Sequence, residues 1–320
     1  MFVMSNRPIL AKANVAAALA LSLIMASPAT AQQSMYASSA LADSAVEQVQ
    51  VPPLIGAVDL QVLMGLTEPQ IVDIRNPRAI RSLYSYASGH IPGAVNVPYG
   101  TWRNIWADPL NVPTDADMTR AIQSMGLTKD RPVVIVHSSA ARGNFGSAAW
   151  VYWVLKTAGF ENIAILNGGV RGWKDMGGEM STEAVEIVPS QEVITVNGTW
   201  LATHEDVDAV INGTSDAQLL DARPLHQIMN DASIEGSFTL NAEELITGDK
   251  GMAGDDLEIF MRIKDAGLEW QRGEVITYCN NGALAAVDWF MASEIAGIPN
   301  VKVYGHSLRA RERALDALES

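Results

Sequence analysis

The chain has 320 residues and only one cysteine, Cys279. A single thiol excludes a disulfide framework within the chain and any zinc site built on paired cysteines. Positive charge is scarce as well, with 22 Lys and Arg against 36 Asp and Glu and a net charge of -14. Such a surface repels polyanions, which argues against nucleic acid and anionic lipid as partners. It also repels small anions at long range, so an anion site has to be assembled from local donors. The five histidines, His90, His137, His204, His226 and His306, show no metal-ligand spacing, and no metal is expected. Long apolar runs are missing too. The best of them, residues 15–25, is too short to span a bilayer comfortably.

That run belongs to an export signal. Arg7 and Lys12 precede it and Ala29-Thr30-Ala31 follows as a small-residue cleavage site. Cleavage after Ala31 is expected to leave a soluble periplasmic or secreted protein, in which residues 32–51 form a flexible, Ala/Ser-rich leader. The signal carries two positive charges and no acidic residue, so the remainder has a net charge of -16. Exported proteins usually carry cysteines in pairs. A lone thiol in an oxidising compartment is easier to understand if it has a task.

The surroundings of Cys279 suggest one. The run Glu274-Val275-Ile276-Thr277-Tyr278 reads as a buried strand, Asn280-Asn281-Gly282 as a tight loop, and the Ala-rich continuation as a helix. The cysteine therefore stands where a strand turns into a helix. The first N-H groups of a helix lack internal acceptors and its dipole is positive at that end, which favours a thiolate and can cradle an anion. The alternative is a buried apolar cysteine without reactivity.

Beyond residue 51 the chain reads as strand and helix in alternation, twice over. Gln70-Ile71-Val72-Asp73-Ile74-Arg75 is a strand ending in Asp-x-Arg, and Gln218-Leu219-Leu220-Asp221-Ala222-Arg223 repeats it 148 residues later. Val133-Val134-Ile135-Val136-His137 enters a loop and helix as Cys279 does 142 residues on. The length and the repeat together predict two tandem α/β domains, residues 52–184 and 192–320, joined by a linker near 180–191. Each domain is expected to hold a mainly parallel central sheet flanked by helices. Ligands bind such sheets beyond the carboxyl ends of the strands, where both Cys279 and His137 fall. Trp150, Trp153, Trp173 and Trp289 are expected to fill cores or the domain interface.

The paired Asp-x-Arg strands, the loop Gly89-His90-Ile91-Pro92-Gly93-Ala94, the Leu166-Asn167-Gly168-Gly169 element ending at Trp173 and the lone cysteine resemble the tandem-domain rhodaneses. These are the thiosulfate and 3-mercaptopyruvate sulfurtransferases, and the resemblance covers about residues 51–304. Cys279-Asn280-Asn281-Gly282 is similar to the Cys-Asn-x-Gly loop of some exported bacterial members. The resemblance implies two rhodanese-like domains, the second catalytic and the first not, with His137 and Ser138 where a cysteine would stand. It implies that Cys279 attacks the sulfane sulfur of thiosulfate or 3-mercaptopyruvate and passes it, as a persulfide, to a thiophilic acceptor such as cyanide or a thiol. No cofactor is implied. Backbone N-H groups over Asn280, Asn281, Gly282, Ala283, Leu284 and Ala285 would stabilise the persulfide anion. The chain departs from the family in its neutral loop, in Gln227 where a further arginine is common, and in the segment from Tyr304 to Arg311.

Several readings stay open at this level. Arg223 serves either a substrate sulfonate or carboxylate, or an ion-pair scaffold within its own domain. Arg142, in the cysteine-free loop, either supplies positive charge across the domain interface or is a solvated loop residue. Asn280 and Asn281 offer side-chain donors to substrate or serve the turn. A cysteine phosphatase would need an arginine six residues after the nucleophile, where Ala285 stands. His137 beside Ser138 lacks the Gly-x-Ser-x-Gly elbow of a serine hydrolase. The remaining alternative is a non-catalytic protein that binds a partner or senses redox state through its thiol.

Overall fold

Short apolar runs without polar interruption make strands that are covered on both faces. In the first half these are β2 (Gln70–Asp73), β4 (Val133–Val136) and β5 (Ile163–Leu166), every residue of which is buried. The two-residue strands β1 (Leu54–Ile55) and β3 (Val95–Asn96) close the edges of a parallel sheet ordered β1-β5-β4-β2-β3. Parallel neighbours need long crossovers. They run through α1 (Ala57–Leu66), α2 (Tyr99–Ile105), α3 (Asp115–Ser124) and α4 (Gly143–Thr157), and α5 (Gly169–Asp175) follows the last strand. The computed structural model describes residues 49–78, 85–141, 143–248, 252–271 and 273–319. The expected export signal and nearly all of the leader lie outside the described residues, as does Arg142.

The second half repeats the plan. Its strands are β6 (Leu201–Ala202), β7 (Gln218–Asp221), β8 (Phe238–Thr239), β11 (Val275–Tyr278) and β12 (Val301–Tyr304), all parallel and ordered β6-β12-β11-β7-β8. An antiparallel pair, β9 (Ile246–Thr247) and β10 (Met252–Ala253), stands apart from this sheet. The helices are α6 (His204–Ile211), α7 (Leu225–Ile228), α8 (Asp256–Asp265), α9 (Ala283–Trp289) and α10 (Ser307–Glu319). Past Trp289 the α9 helix widens into π geometry over Phe290–Ile295. The expectation of two α/β units, each with a parallel sheet and flanking helices, is met.

The halves share one core. Trp102, Trp150 and Trp153 from the first half and Trp289 and Phe290 from the second are fully buried in one apolar cluster. Where α4 crosses α9, a Cβ at Gly146 would lie 3.3 Å from the Ala283 carbonyl oxygen, so glycine sets how closely these helices approach. Polar bonds finish the seam: Tyr152 donates to the Glu294 carboxylate at 2.7 Å, and the Trp153 indole donates to the Trp200 carbonyl at 2.8 Å. The linker is a strap laid along α3. Gln123 donates to the Glu192 carbonyl at 2.9 Å, Ile194 N-H donates to Thr119 at 3.0 Å, and Val196 N-H donates to Asp115 at 2.9 Å. Residues 192–197, assigned from sequence to the second domain, thus lie against the first.

The register makes His137 the counterpart of Cys279. Asp73 pairs with Val136 and Asp221 with Tyr278, and the two residues follow next on their strands. His137 is 1% exposed, and burial pushes its pKa down to about 4 against a smaller opposing effect of the Leu166 backbone. An unfolded histidine titrates near 6.5, so below that pH the unfolded chain takes up a proton that the folded chain rejects until about pH 4. Stability is therefore lost as pH falls through this window, by up to about 3 kcal/mol from this residue. Urea denaturation of the parent and His137→Gln from pH 7 to pH 4.5 should show the difference between them shrinking with acidity. A difference independent of pH would contradict the assignment.

Candidate active site

The β11 strand delivers Cys279 to the carboxyl end of the second sheet, between β7 and β12. The chain then reverses through Asn280, Asn281 and Gly282 into α9. Gly282 has φ of 88°, and a Cβ there would lie 2.3 Å from the Trp150 ring and 2.7 Å from the Gly305 carbonyl oxygen. Only glycine fits both the backbone conformation and the space. The tight turn brings the Gly282 N-H to Cys279 Sγ, to which it donates at 3.0 Å. A directed donor at the sulfur stabilises negative charge there, whether on a thiolate or on a sulfur attached to it.

The other side of the loop is held by α10. Cys279 N-H donates to Ser307 Oγ at 3.1 Å, and that hydroxyl donates to the Tyr304 carbonyl at 2.8 Å. The first free N-H groups of α10, from Leu308 and Arg309, donate to the carbonyls of Cys279 and Asn280 at 3.0 and 3.1 Å. Both loop carbonyls therefore point to α10 and not to the thiol. Ser307 adopts φ of 56°, an uncommon conformation for a residue with a side chain, and it joins two of these bonds.

Of the two readings open for Arg223, the structure builds the scaffold. Its side chain is fully buried and clamps Asp221 through Nε at 2.9 Å and Nη2 at 2.7 Å. Its Nη1 donates to Asn280 Oδ1 at 3.0 Å, while Asn280 Nδ2 donates to Gln227 Oε1 at 2.9 Å. Arg223 thus braces the active loop from behind and does not line the Cys279 cleft. Arg75 makes the same clamp on Asp73 in the first half, at 2.9 and 2.6 Å. Breaking such a buried pair by removing one partner costs about 3–5 kcal/mol.

A cleft of about 570 Å³ opens over the loop, lined by Cys279, Asn280, Asn281, Ala283 and Leu284. Cys279 is 1% exposed and forms part of the floor, so only a slender group reaches the sulfur. Gly282 lies beneath, with its N-H on Sγ. Ala285 is buried, and its carbonyl accepts a bond from Thr277 Oγ1 at 2.9 Å. The Asn281 side chain accepts from the Ala283 N-H at 3.3 Å, which is turn chemistry. The cleft also carries Asp231, Glu243 and Glu312 against Arg309, so it is no general anion trap.

Residues that the sequence did not single out complete the walls. Arg309 comes from the segment noted only for departing from the family. Arg103 comes from α2 in the first half, whereas Tyr99 of the same helix lines a separate cleft beside His137. Burial pushes the Tyr99 hydroxyl up to about 12, Arg103 opposes the rise, and Cys279 adds to it, which places this tyrosine within the electrostatic reach of the thiol. A second lobe of about 500 Å³ shares Asn280, Asn281 and Arg309 with the first and is walled by Arg103 and Arg313. Among the described residues no group of His, Cys, Asp and Glu is arranged to hold a metal.

The rhodanese-like domain profile matches residues 57–176. Over 239 residues the chain is 27% identical to the 3-mercaptopyruvate sulfurtransferase of Escherichia coli strain K12, covering 68% of this chain and 79% of that protein. Residues 57–176 thus form a rhodanese-like domain, and the chain is related to the 3-mercaptopyruvate sulfurtransferases. Among solved structures, SseA from Escherichia coli, described as a 3-mercaptopyruvate sulfotransferase with the rhodanese fold, aligns with a TM-score of 0.68 at 24% identity. That alignment covers 81% of this chain and 99% of SseA. The anaerobic ergothioneine biosynthesis enzyme from Chlorobium limicola aligns with a TM-score of 0.66 at 20% identity, over 82% of this chain and 68% of that one. These two alignments establish the shared fold. Kinship with the sulfurtransferases makes this protein an enzyme of that transferase class.

Gly282→Ala tests how much the loop depends on its fit. The added methyl group meets the Trp150 ring and a carbonyl oxygen in a left-handed backbone, so stability should fall by roughly 2–4 kcal/mol in urea denaturation. A loss below about 0.5 kcal/mol would show that the loop has room the structure does not provide.

Proposed function

We propose that this protein moves a sulfane sulfur from a small anionic donor, thiosulfate or 3-mercaptopyruvate, to a thiophilic acceptor through a persulfide on Cys279. The observation that carries the reading is the Gly282 N-H donating to Sγ at 3.0 Å on the floor of an open cleft. With thiosulfate, the Cys279 thiolate forms a bond to the outer sulfur, the sulfur-sulfur bond of the donor breaks, and sulfite leaves with the electron pair. With 3-mercaptopyruvate, the carbon-sulfur bond breaks, the thiol proton ends on that carbon, and pyruvate leaves. Either route deposits one sulfur on Cys279 as a persulfide anion. Cyanide or a thiolate then bonds to the outer sulfur and the Cys279 thiolate is released, which is nucleophilic catalysis in two steps.

The loop suits this cycle. Its backbone supplies a fixed donor at the sulfur, and a bond fixed before reaction needs no reorganisation during it. The carbonyls of Cys279 and Asn280 are turned to α10, which removes two dipoles that would repel an anionic sulfur. The nearly buried thiol admits a terminal sulfur and excludes bulky side chains, in line with a small donor. We further propose that the enzyme works outside the cytoplasm, because residues 1–31 have the three parts of an export signal. A protein that only binds a partner would leave the donor on the sulfur without a purpose.

Thiocyanate formation from thiosulfate and cyanide, and separately from 3-mercaptopyruvate and cyanide, should be measurable for the parent. Cys279→Ser should lower it by about a thousandfold or more with whichever donor is used. Absence of thiocyanate with both donors, or a rate that survives the substitution, would remove Cys279 as the sulfur-carrying nucleophile.

A further inference from the structure

The wall of the site most distant in sequence from Cys279 comes from the first half. Arg103, in the last turn of α2, holds its guanidinium carbon 4.0 Å from the centroid of the Trp150 ring. A cation over an indole face is attracted by the ring quadrupole, so the guanidinium is fixed in place. The same indole packs on Gly282, the residue whose N-H meets Cys279 Sγ. Arg103 and the active loop are therefore mounted on one aromatic plate.

Arg103 lines the cleft lobe that it shares with Asn280 and Asn281, yet its Nη1 is buried and has no hydrogen-bond partner. Native structures rarely leave a buried donor unpaired, and a charged one is the most costly to leave so. The Tyr99 hydroxyl bonds to the same guanidinium and stays protonated at neutral pH, so this neighbour does not neutralise the charge or satisfy Nη1. The lobe holds three arginines, Arg103, Arg309 and Arg313, against the single carboxylate of Glu312. This is a local exception on a chain with a net charge of -14. It supplies what the neutral loop lacks.

We infer that Arg103 recognises the anionic end of the sulfur donor, so the half without the nucleophile provides specificity to the half that carries it. The inference rests on the sulfurtransferase reading of Cys279. A planar guanidinium held on an aromatic face offers parallel N-H groups to a sulfonate or carboxylate, a geometry that lysine lacks. The donor would lie with its sulfane sulfur over Cys279 and its oxyanion toward Arg103. Arg309, on the exposed rim of both lobes, adds charge without a fixed position.

The test separates recognition from chemistry. Thiosulfate binding is measured by calorimetry on Cys279→Ser, which cannot react, and on the same protein carrying Arg103→Gln or Arg103→Lys. Arg103→Gln should weaken binding about tenfold or more, and Arg103→Lys should recover part of the loss because charge returns without the fork. In the enzyme with Cys279 intact, Arg103→Gln should raise KM for thiosulfate by a similar factor while kcat stays within about threefold. Near-ultraviolet circular dichroism checks the packing around Trp150, and if the glutamine variant does not fold, the lysine variant carries the test. Binding within about twofold of the parent in a folded arginine variant would overturn the inference. Arg103-dependent binding in a protein that forms no thiocyanate would uphold Arg103 and sink only the persulfide reading.

Discussion

The contact on which the site depends is the seating of the Trp150 ring on Gly282. It lies at the junction of three structures: the active loop, the seam between the two halves, and the arginine-bearing wall. The indole is anchored in the shared core and leaves no room for a Cβ at the left-handed Gly282, whose N-H lies on the sulfur. The turn after Cys279 in the second half is thus packed against a side chain of the first. This explains why two halves with the same strand order do not behave as independent beads. The seam is part of the candidate site.

A second theme is the repeated clamp behind each loop. Asp73 with Arg75, and Asp221 with Arg223, are buried ion pairs placed beyond the ends of equivalent strands. Burying charge is costly unless it is paired and hydrogen-bonded, and both arginines satisfy that condition with further loop acceptors. In the second half the clamp extends to Asn280 and so reaches the active turn. In the first half the matching position beyond the strand holds His137, a neutral buried ring. The same frame carries a thiol in one half and a buried imidazole in the other.

Much of this was legible in the chain itself. Runs such as Val133 to Val136 and Val275 to Tyr278 are β-branched and uninterrupted, and such runs declare strands buried on both faces. The repeated Asp-x-Arg revealed the duplication, and Asn-Asn-Gly after the lone cysteine revealed the tight turn from β11 into α9. The role of Arg223 was not legible, because an arginine at a strand end looks the same whether it turns to a substrate or back to its own aspartate. Arg103 was invisible for a different reason. It carries no motif, and its importance comes from a stacking partner 47 residues away and a loop in the other half. Local patterns record strands and turns; they do not record which helix of one domain walls the cleft of another. Asp288 is a further example. It stands in the apolar spacing of α9, yet it is wholly buried with both carboxylate oxygens unpartnered, and burial together with Asp221 raises its pKa well above the usual range.

The central claim is that Cys279 carries the transferred sulfur as a covalent persulfide. It is tested most directly by exposing the protein to thiosulfate without an acceptor and analysing its peptides by mass spectrometry. The expected result is one added sulfur atom on the peptide containing Cys279, removed when cyanide is supplied. A Cys279 peptide of unchanged mass, in a protein that nonetheless produces thiocyanate, would contradict the claim and place the chemistry elsewhere.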